Sequence, residues 1–162
     1  MKHILVTTDF SAESETAFSF VQEYLTLLGK ERARCSILAV LEDLARKSKQ
    51  MQLAMTMLEG HGIRDELRKQ AEESIEALKN KYFAGFSVQT VISKAEKSVD
   101  TEILAFAAEH DVDMIVIATH GRTGMSHMFL GSVSEKVVRQ SKCPVVVVPV
   151  QTGSAGQPKD AA

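Results

Sequence analysis

Apolar, β-branched runs recur along the chain at Ile4–Thr7, Ser36–Leu41, Phe86–Ile92, Met114–Ala118 and Pro144–Val150. Most are continuous rather than alternating, the pattern of strands covered on both faces. Helical periodicity fills the intervals. In Ser11–Leu28 the residues Ala17, Phe20, Val21, Tyr24 and Leu28 share one face. Ser11 is placed to cap that helix, Glu13 and Glu15 lie near its positive end, and Gly29 stops it. Gly62–Tyr82 reads as a charged amphipathic helix with a stripe of Ile63, Leu67, Ala71, Ile75 and Leu78. Ser98–His110 turns Ile103, Phe106 and Ala107 inward, and Ser132–Ser141 presents Val133, Val137 and Val138. Strands alternating with helices predict βαβ units. The expected fold is α/β over residues 1–150, an open five-stranded parallel sheet with helices on both faces, Rossmann-like in architecture.

Two segments fall outside that rhythm. Leu41–Gly60 contains Met51, Met55 and Leu58 at helical spacing and reads as a helical elaboration packed on the domain, or as a flap over a ligand. Residues 151–162, small and polar, are expected to be a disordered tail. A chain of 162 residues can bury a real core. Its net charge of −2 argues against nucleic acid as the main partner, because phosphate-backbone binding needs a basic face. No apolar run approaches the roughly 20 residues that span a bilayer. The apolar run after Lys2 and His3 is too short for a signal peptide, so the expected location is the cytoplasm. Cys35 and Cys143 have neither a CxxC partner nor metal spacing, and are read as buried free thiols. His3, His61 and His110 are read as surface residues.

The candidate chemistry lies between the fourth strand and the last helix. Gly121, Gly124 and Gly131 fall within eleven residues, and Gly131 opens onto Ser132-Val133-Ser134-Glu135. In an open parallel sheet, ligands bind outside the carboxyl ends of the strands, where strand order reverses. Asp9 follows the first strand, Val40 ends the second, and His120 with Gly121 follows the fourth. If the first and fourth strands are neighbours, Asp9 and His120 face one crevice. A helix N-terminus at Gly131–Ser132 offers free N–H groups and a positive dipole to a phosphate, and Ser132 and Ser134 add hydroxyls. A second reading explains the serine without a ligand: Ser132 and Glu135 fit a capping box. His120 is placed either as a general base or as a residue bonded to its own turn. Neither GxGxxG after the first strand nor GxxxxGK[ST] is present.

The segments "ILVTTDFS", "DVDMIVIATHGRTG" and "FLGSVSEKVVRQSKCPVVVVPV" resemble the universal stress proteins, from Met1 to about Val150. That resemblance implies an adenine nucleotide alpha hydrolase-like sandwich, often dimeric, and for one branch ATP bound through a G-x2-G-x9-G-[S/T] pattern. Here the second and third glycines fall on Gly121 and Gly131 with Ser132, and Ala118 replaces the first. Glu96 stands where many relatives carry glycine. By the resemblance, Asp9 and Val40 would contact adenine, with Thr7 and Thr8 shaping the wall. Ile117, Ala118, His120 and Gly121 would line the ribose and phosphate path. Gly131, Ser132, Val133 and Ser134 would hold the phosphates. ATP would be accompanied by Mg²⁺ or Mn²⁺, held by phosphate and water rather than by a protein carboxylate.

Phosphoryl transfer asks for a positioned base, a cationic clamp and a protein-held metal, and the sequence offers at most one of these. The expected function is therefore regulatory binding of ATP without efficient turnover. A nucleotide-free interaction module and a slow ATPase or phosphotransferase are the alternatives. Pro144 and Pro149 bracket the last apolar run, as suits an edge strand. An apolar edge needs cover, and the resemblance points the same way. A homodimer is expected to pair Val145–Val150 of two chains, with Val146 and Val148 on one face and Val145 and Val147 on the other.

Overall fold

The computed structural model describes residues 1–42, 62–119 and 130–150. Strands and helices alternate in it as β1 (Lys2–Thr8), α1 (Glu15–Leu28), β2 (Ala33–Leu41), α2 (Ile63–Tyr82), β3 (Val88–Lys94), α3 (Val99–Glu109), β4 (Met114–Ala118), α4 (Ser132–Gln140) and β5 (Val145–Val148). The five strands form one parallel sheet in the order β3-β2-β1-β4-β5. The expected fold class is thus the observed one. The elaboration expected over Leu41–Gly60 lies outside the described residues, apart from Leu41, which ends β2, and Glu42. The tail from residue 151 and His61 lie outside them as well.

Alternation along the central strands divides the core into two layers. Ile4 and Val6 of β1, Ile37 and Ala39 of β2, and Val116 and Ala118 of β4 point to one side. There they meet Ala17, Phe18, Val21 and Leu25 of α1 and Ile75 of α2. Leu5, Leu38, Ile115 and Ile117 point to the other, against Ile103, Phe106 and Ala107 of α3 and Val137 of α4. β1 is buried from His3 to Thr8, whereas β5 is half-buried throughout, as its place at the sheet edge requires. The first layer holds an aromatic nucleus, with the Phe18 ring 5.5 Å from Tyr82 and 5.7 Å from Phe83, centroid to centroid.

The helices differ from expectation in detail. On α1 the fully buried positions are Ala17, Phe18, Val21 and Leu25, while Phe20, Tyr24 and Leu28 flank them half-buried. Ser11 is not the N-cap of α1: Ser14 holds that place, α1 begins at Glu15, and the Ser11 hydroxyl instead accepts the Ser14 N–H at 3.2 Å in the turn before the helix. On α2, Leu67 is exposed, and Ala71 and Ile75 are buried. On α4, Val138 faces outward and Ser134 takes the buried place beside Val137. Polar contacts also join the two helices of the first layer. Glu15 accepts from Lys81 at 2.5 Å and from the Tyr82 hydroxyl at 2.6 Å, tying α1 to α2. These two donors hold the Glu15 carboxyl below its usual range.

His3 is buried, not on the surface as the sequence suggested. Its Nδ1 lies 2.9 Å from His110 O and its Nε2 lies 2.8 Å from Ser36 Oγ. A neutral ring satisfies both contacts, with Nδ1–H donating to the carbonyl and Nε2 accepting the serine proton. Next to it, Asp113 accepts from Lys2 Nζ and from the His3 N–H, both at 2.8 Å. His110 is exposed and stacks on Phe106. Both cysteines are free. Burial pushes the Cys35 thiol up to about 12, and Cys143 is half-buried.

Two outcomes follow from this packing. Phe18→Ala removes a ring with no solvent exposure from the aromatic nucleus, and urea titration should show a loss of about 3–5 kcal/mol. Burial lowers the His3 pKa from 6.5, outweighing the hydrogen bond to His110 O. The unfolded chain then binds the proton first, so stability is lost as pH falls below 6.5 toward the folded value. Denaturant midpoints across that range should fall less steeply in His3→Gln than in the unsubstituted protein. Equal slopes would show that His3 does not titrate this way.

Candidate functional site

β1 and β4 are neighbours, and strand order reverses between them. β1 pairs with β2 as far as Thr8↔Ala39, but with β4 only from Ile4↔Met114 to Val6↔Val116. β4 meanwhile keeps pace with β5 to Ala118↔Val148. The two central strands therefore part after Val6 and Val116. A crevice opens at the carboxyl end of the sheet, where the topological rule places ligands.

Thr7 and Ile117 are the residues at which the strands part. Both are buried, and Ile117 packs in the layer of α3 and α4. The period of two places Thr7 on that same side, in line with Leu5. Among the described residues, no hydrogen-bond partner reaches the Thr7 hydroxyl, although the residue is only 7% exposed. A buried hydroxyl left unpaired costs about 1–3 kcal/mol, so a polar guest at this point would be favoured. Val40, half-buried, packs with the same layer.

Thr8 and Ala118 point to the opposite side and serve the frame. The Thr8 hydroxyl meets Ser14 Oγ at 2.9 Å and accepts the Phe10 N–H at 2.9 Å. Phe10 takes a left-handed backbone, φ 64°, and this sharp turn leaves Asp9 at the rim. The Asp9 carboxylate accepts the Ser11 N–H at 3.1 Å and also the Ser11 hydroxyl. Ala118 is buried in the core beside α1, and its φ is not positive. Its methyl group thus needs no glycine conformation, and it faces the opposite side from Thr7 and Ile117. Glu96 is exposed.

The N-terminus of α4 is brought to the same pole. Gly131 is the N-cap, with an extended backbone and no side chain to offer its helix. The first intrahelical bond runs from Glu135 N–H to Gly131 O at 2.8 Å, which leaves the N–H groups of Ser132, Val133 and Ser134 ahead of the ladder. The capping box, the alternative reading of Ser132 and Glu135, is therefore absent. Ser132 stands inside the helix rather than before it, and Glu135 pairs with Arg139 at 3.0 Å. Ser132 is exposed, Val133 half-buried and Ser134 buried. The Ser134 hydroxyl turns inward, 2.9 Å from Gly131 O and 3.1 Å from Thr119 O. It is a brace for the turn, and only its backbone N–H remains for a ligand. His120 and Gly121 lie outside the described residues.

Two supporting residues escaped the sequence reading. Thr119 accepts the Gly131 N–H at 2.8 Å, so the glycine segment leaves and rejoins the fold at one point. Ser14 braces the β1 turn through Thr8 and through Ser11 O at 2.8 Å. Thr119 acts on a residue twelve positions along the chain, whereas the partners of Ser14 are only three and six residues away. Among the described residues, no cluster of three or more His, Cys, Asp or Glu could hold a metal, and no helix is long and apolar enough to cross a membrane. An open depression at the opposite pole is lined by Met1, Lys2, Glu31, Arg32 and Asp113. Lys2 and Asp113 are already paired there.

Residues 1–149 match the model of the universal stress protein family. The chain is 29% identical over 157 residues to universal stress protein MJ0577 of Methanocaldococcus jannaschii, covering 91% of this chain and 94% of that protein. The solved structure of MJ0577 aligns over 94% of this chain and 98% of its own, at a TM-score of 0.76 and 28% identity. A family member from Arabidopsis thaliana solved with AMP bound aligns over 94% of each chain, at a TM-score of 0.65 and 17% identity. One from Archaeoglobus fulgidus in complex with dAMP covers 91% of this chain and 98% of its own, at a TM-score of 0.58 and 19% identity. The crevice between β1 and β4 and the bare start of α4 thus sit on a fold shared with nucleotide-bound proteins, and the chain belongs to the universal stress protein family.

Proposed function

We propose that this protein binds an adenine nucleotide, ATP by preference, in the crevice between β1 and β4, and acts as a regulatory stress-response protein in the cytoplasm. The observation that carries this reading is the parting of β1 from β4 beside an N-terminus of α4 with no side-chain cap. Phosphate oxygens would take the N–H groups of Ser132 and Val133, with the helix dipole adding to the attraction. Gly131 leaves the approach open. Thr7, Asp9, Val40 and Ile117 would line the base and ribose, and His120 and Gly121 would complete the phosphate path. Thr8, Ala118 and Ser134 support the site from behind. The AMP- and dAMP-bound relatives add support at the level of the fold. Mg²⁺ or Mn²⁺ would ride on the phosphates and water, which suits an ion that keeps much of its hydration. Bound, it would neutralise phosphate charge.

The role is binding without efficient turnover. Asp9, the carboxylate nearest the crevice in sequence, already accepts two hydrogen bonds from Ser11. A base spent in this way is poorly placed to activate a water. Occupancy would change the protein's surface or assembly instead.

Assembly would use β5. It is the last strand of the sheet order, and all four of its valines are half-buried. Val146 and Val148 pack with the layer of α1, Val145 and Val147 with that of α3 and α4. Antiparallel pairing of Val145–Val150 about a two-fold axis would cover the edge and extend both layers.

Isothermal titration with ATP and Mg²⁺ should give a saturable heat, and Gly131→Val should abolish it. Gly131 has φ −60° and ψ 151°, which valine adopts freely. The variant should therefore stay folded, losing on the order of 1 kcal/mol at the cap. No heat at tens of micromolar protein, with no adenine nucleotide released on denaturing the purified protein, overturns the reading. In sedimentation, the unsubstituted protein should run as a dimer at micromolar concentration. The pair Val146→Lys and Val148→Lys should shift it to monomer, because like charges would meet without partners across the axis. A monomer before substitution refutes the β5 interface.

A further inference from the structure

Among the described residues, four hydrogen-bonding contacts converge on Thr119, the first residue after β4. Its carbonyl accepts the Gly131 N–H at 2.8 Å and lies 3.1 Å from the Ser134 hydroxyl. Its own N–H donates to Val148 O at 2.9 Å, and its hydroxyl accepts the Val150 N–H at 3.1 Å. One side of this residue fixes the first turn of α4. The other holds the end of β5. Pro149 has no N–H to give, so the Val150 bond is the first donor tie of the chain beyond the β4–β5 ladder.

We propose that Thr119 couples occupancy of the α4 N-terminus to the order of the C-terminal end of β5. This rests on the reading that ATP binds at that terminus. An anion held by the N–H groups of Ser132 and Val133 restricts the first turn of α4 and with it Gly131. Gly131 orients the Thr119 carbonyl, and the same residue presents the acceptor for Val150. Only one residue stands between the two hydrogen bonds. A ligand that rigidifies one end therefore reduces the freedom of the other without any large movement. Because Val150 ends the strand segment offered to a second copy, the nucleotide would tune the edge on which assembly depends. Thr119 is a positioning residue in this scheme and need not touch the nucleotide.

The test is residue-resolved amide hydrogen exchange by NMR on the full chain, with and without ATP and Mg²⁺. In the unsubstituted protein, ATP should slow exchange at Val150 by at least ~5-fold, the low end of ordinary coupling between sites. Thr119→Val removes the hydroxyl and keeps the shape. In it, Val150 should exchange rapidly and equally with and without ATP, while Val146 keeps its protection in the β4–β5 ladder. Thr119→Ser, which restores the hydroxyl, should restore the ATP effect. A purely structural role would change Val150 protection without making it depend on ATP. Shifts at the Ser132 and Val133 amides with no change at Val150 overturn the coupling and leave the nucleotide site standing. Slowing at Val150 that survives in Thr119→Val assigns the effect to another route and also overturns it. No amide shift at Ser132 or Val133 overturns both.

Discussion

β1 must satisfy two neighbours at once, and the rest of the molecule is arranged around that demand. It is bonded to β2 on one edge and β4 on the other, and its side chains are buried from His3 to Thr8. Interior backbone of this kind has no access to water, so its polar groups must find partners in the sheet. The demand ends after Val6, where β4 turns away to follow β5. From that residue onward the backbone and side chains of β1 have something to offer a guest. A crevice at this position is a by-product of strand order. It appears where one strand can no longer serve both sides.

Much of this was legible in the sequence because it depends on local pattern. Continuous apolar runs marked all five strands to within a few residues, and β4 at both ends. Gly29 and Tyr82 marked helix ends for local reasons. The site was legible to the extent that topology follows from alternation: βαβ order places Asp9 and Gly131 at the carboxyl pole before any coordinate is known. What failed was everything decided by a distant partner. His3 looks like a solvated residue beside Lys2, yet Ser36 and His110 O arrive from β2 and from the end of α3 to satisfy both of its nitrogens. The Ser132–Glu135 spacing matches a capping box, but the chain reaches Gly131 in an extended conformation and starts the helix one residue earlier than the motif needs.

The serines show the same division more sharply. By residue type, Ser132 and Ser134 are equivalent candidates for holding a phosphate. In the fold they are separated by burial: Ser132 is exposed, and Ser134 is 3% exposed with its hydroxyl turned back toward Thr119 and Gly131. Ser14 does for the β1 turn what Ser134 does for the α4 turn. Each fills a buried place with a hydroxyl that lies within hydrogen-bond distance of a backbone carbonyl of its turn, Ser11 O for Ser14 and Gly131 O and Thr119 O for Ser134. The crevice is thus built in two shells, an outer one of backbone N–H groups and an inner one of hydroxyls that hold the turns in shape.

The bond from Gly131 N–H to Thr119 O closes the chain on itself across the eleven intervening positions. A segment whose two ends are bonded to each other in this way joins the domain at a single junction. Doubling its length would cost only about 0.6 kcal/mol in closure entropy, because the pinned ends and not the path between them define the junction. A change in the number of residues between those two pinned ends is accordingly a small cost to the fold. The sheet, the two core layers and the start of α4 meet that junction at Thr119 and Gly131.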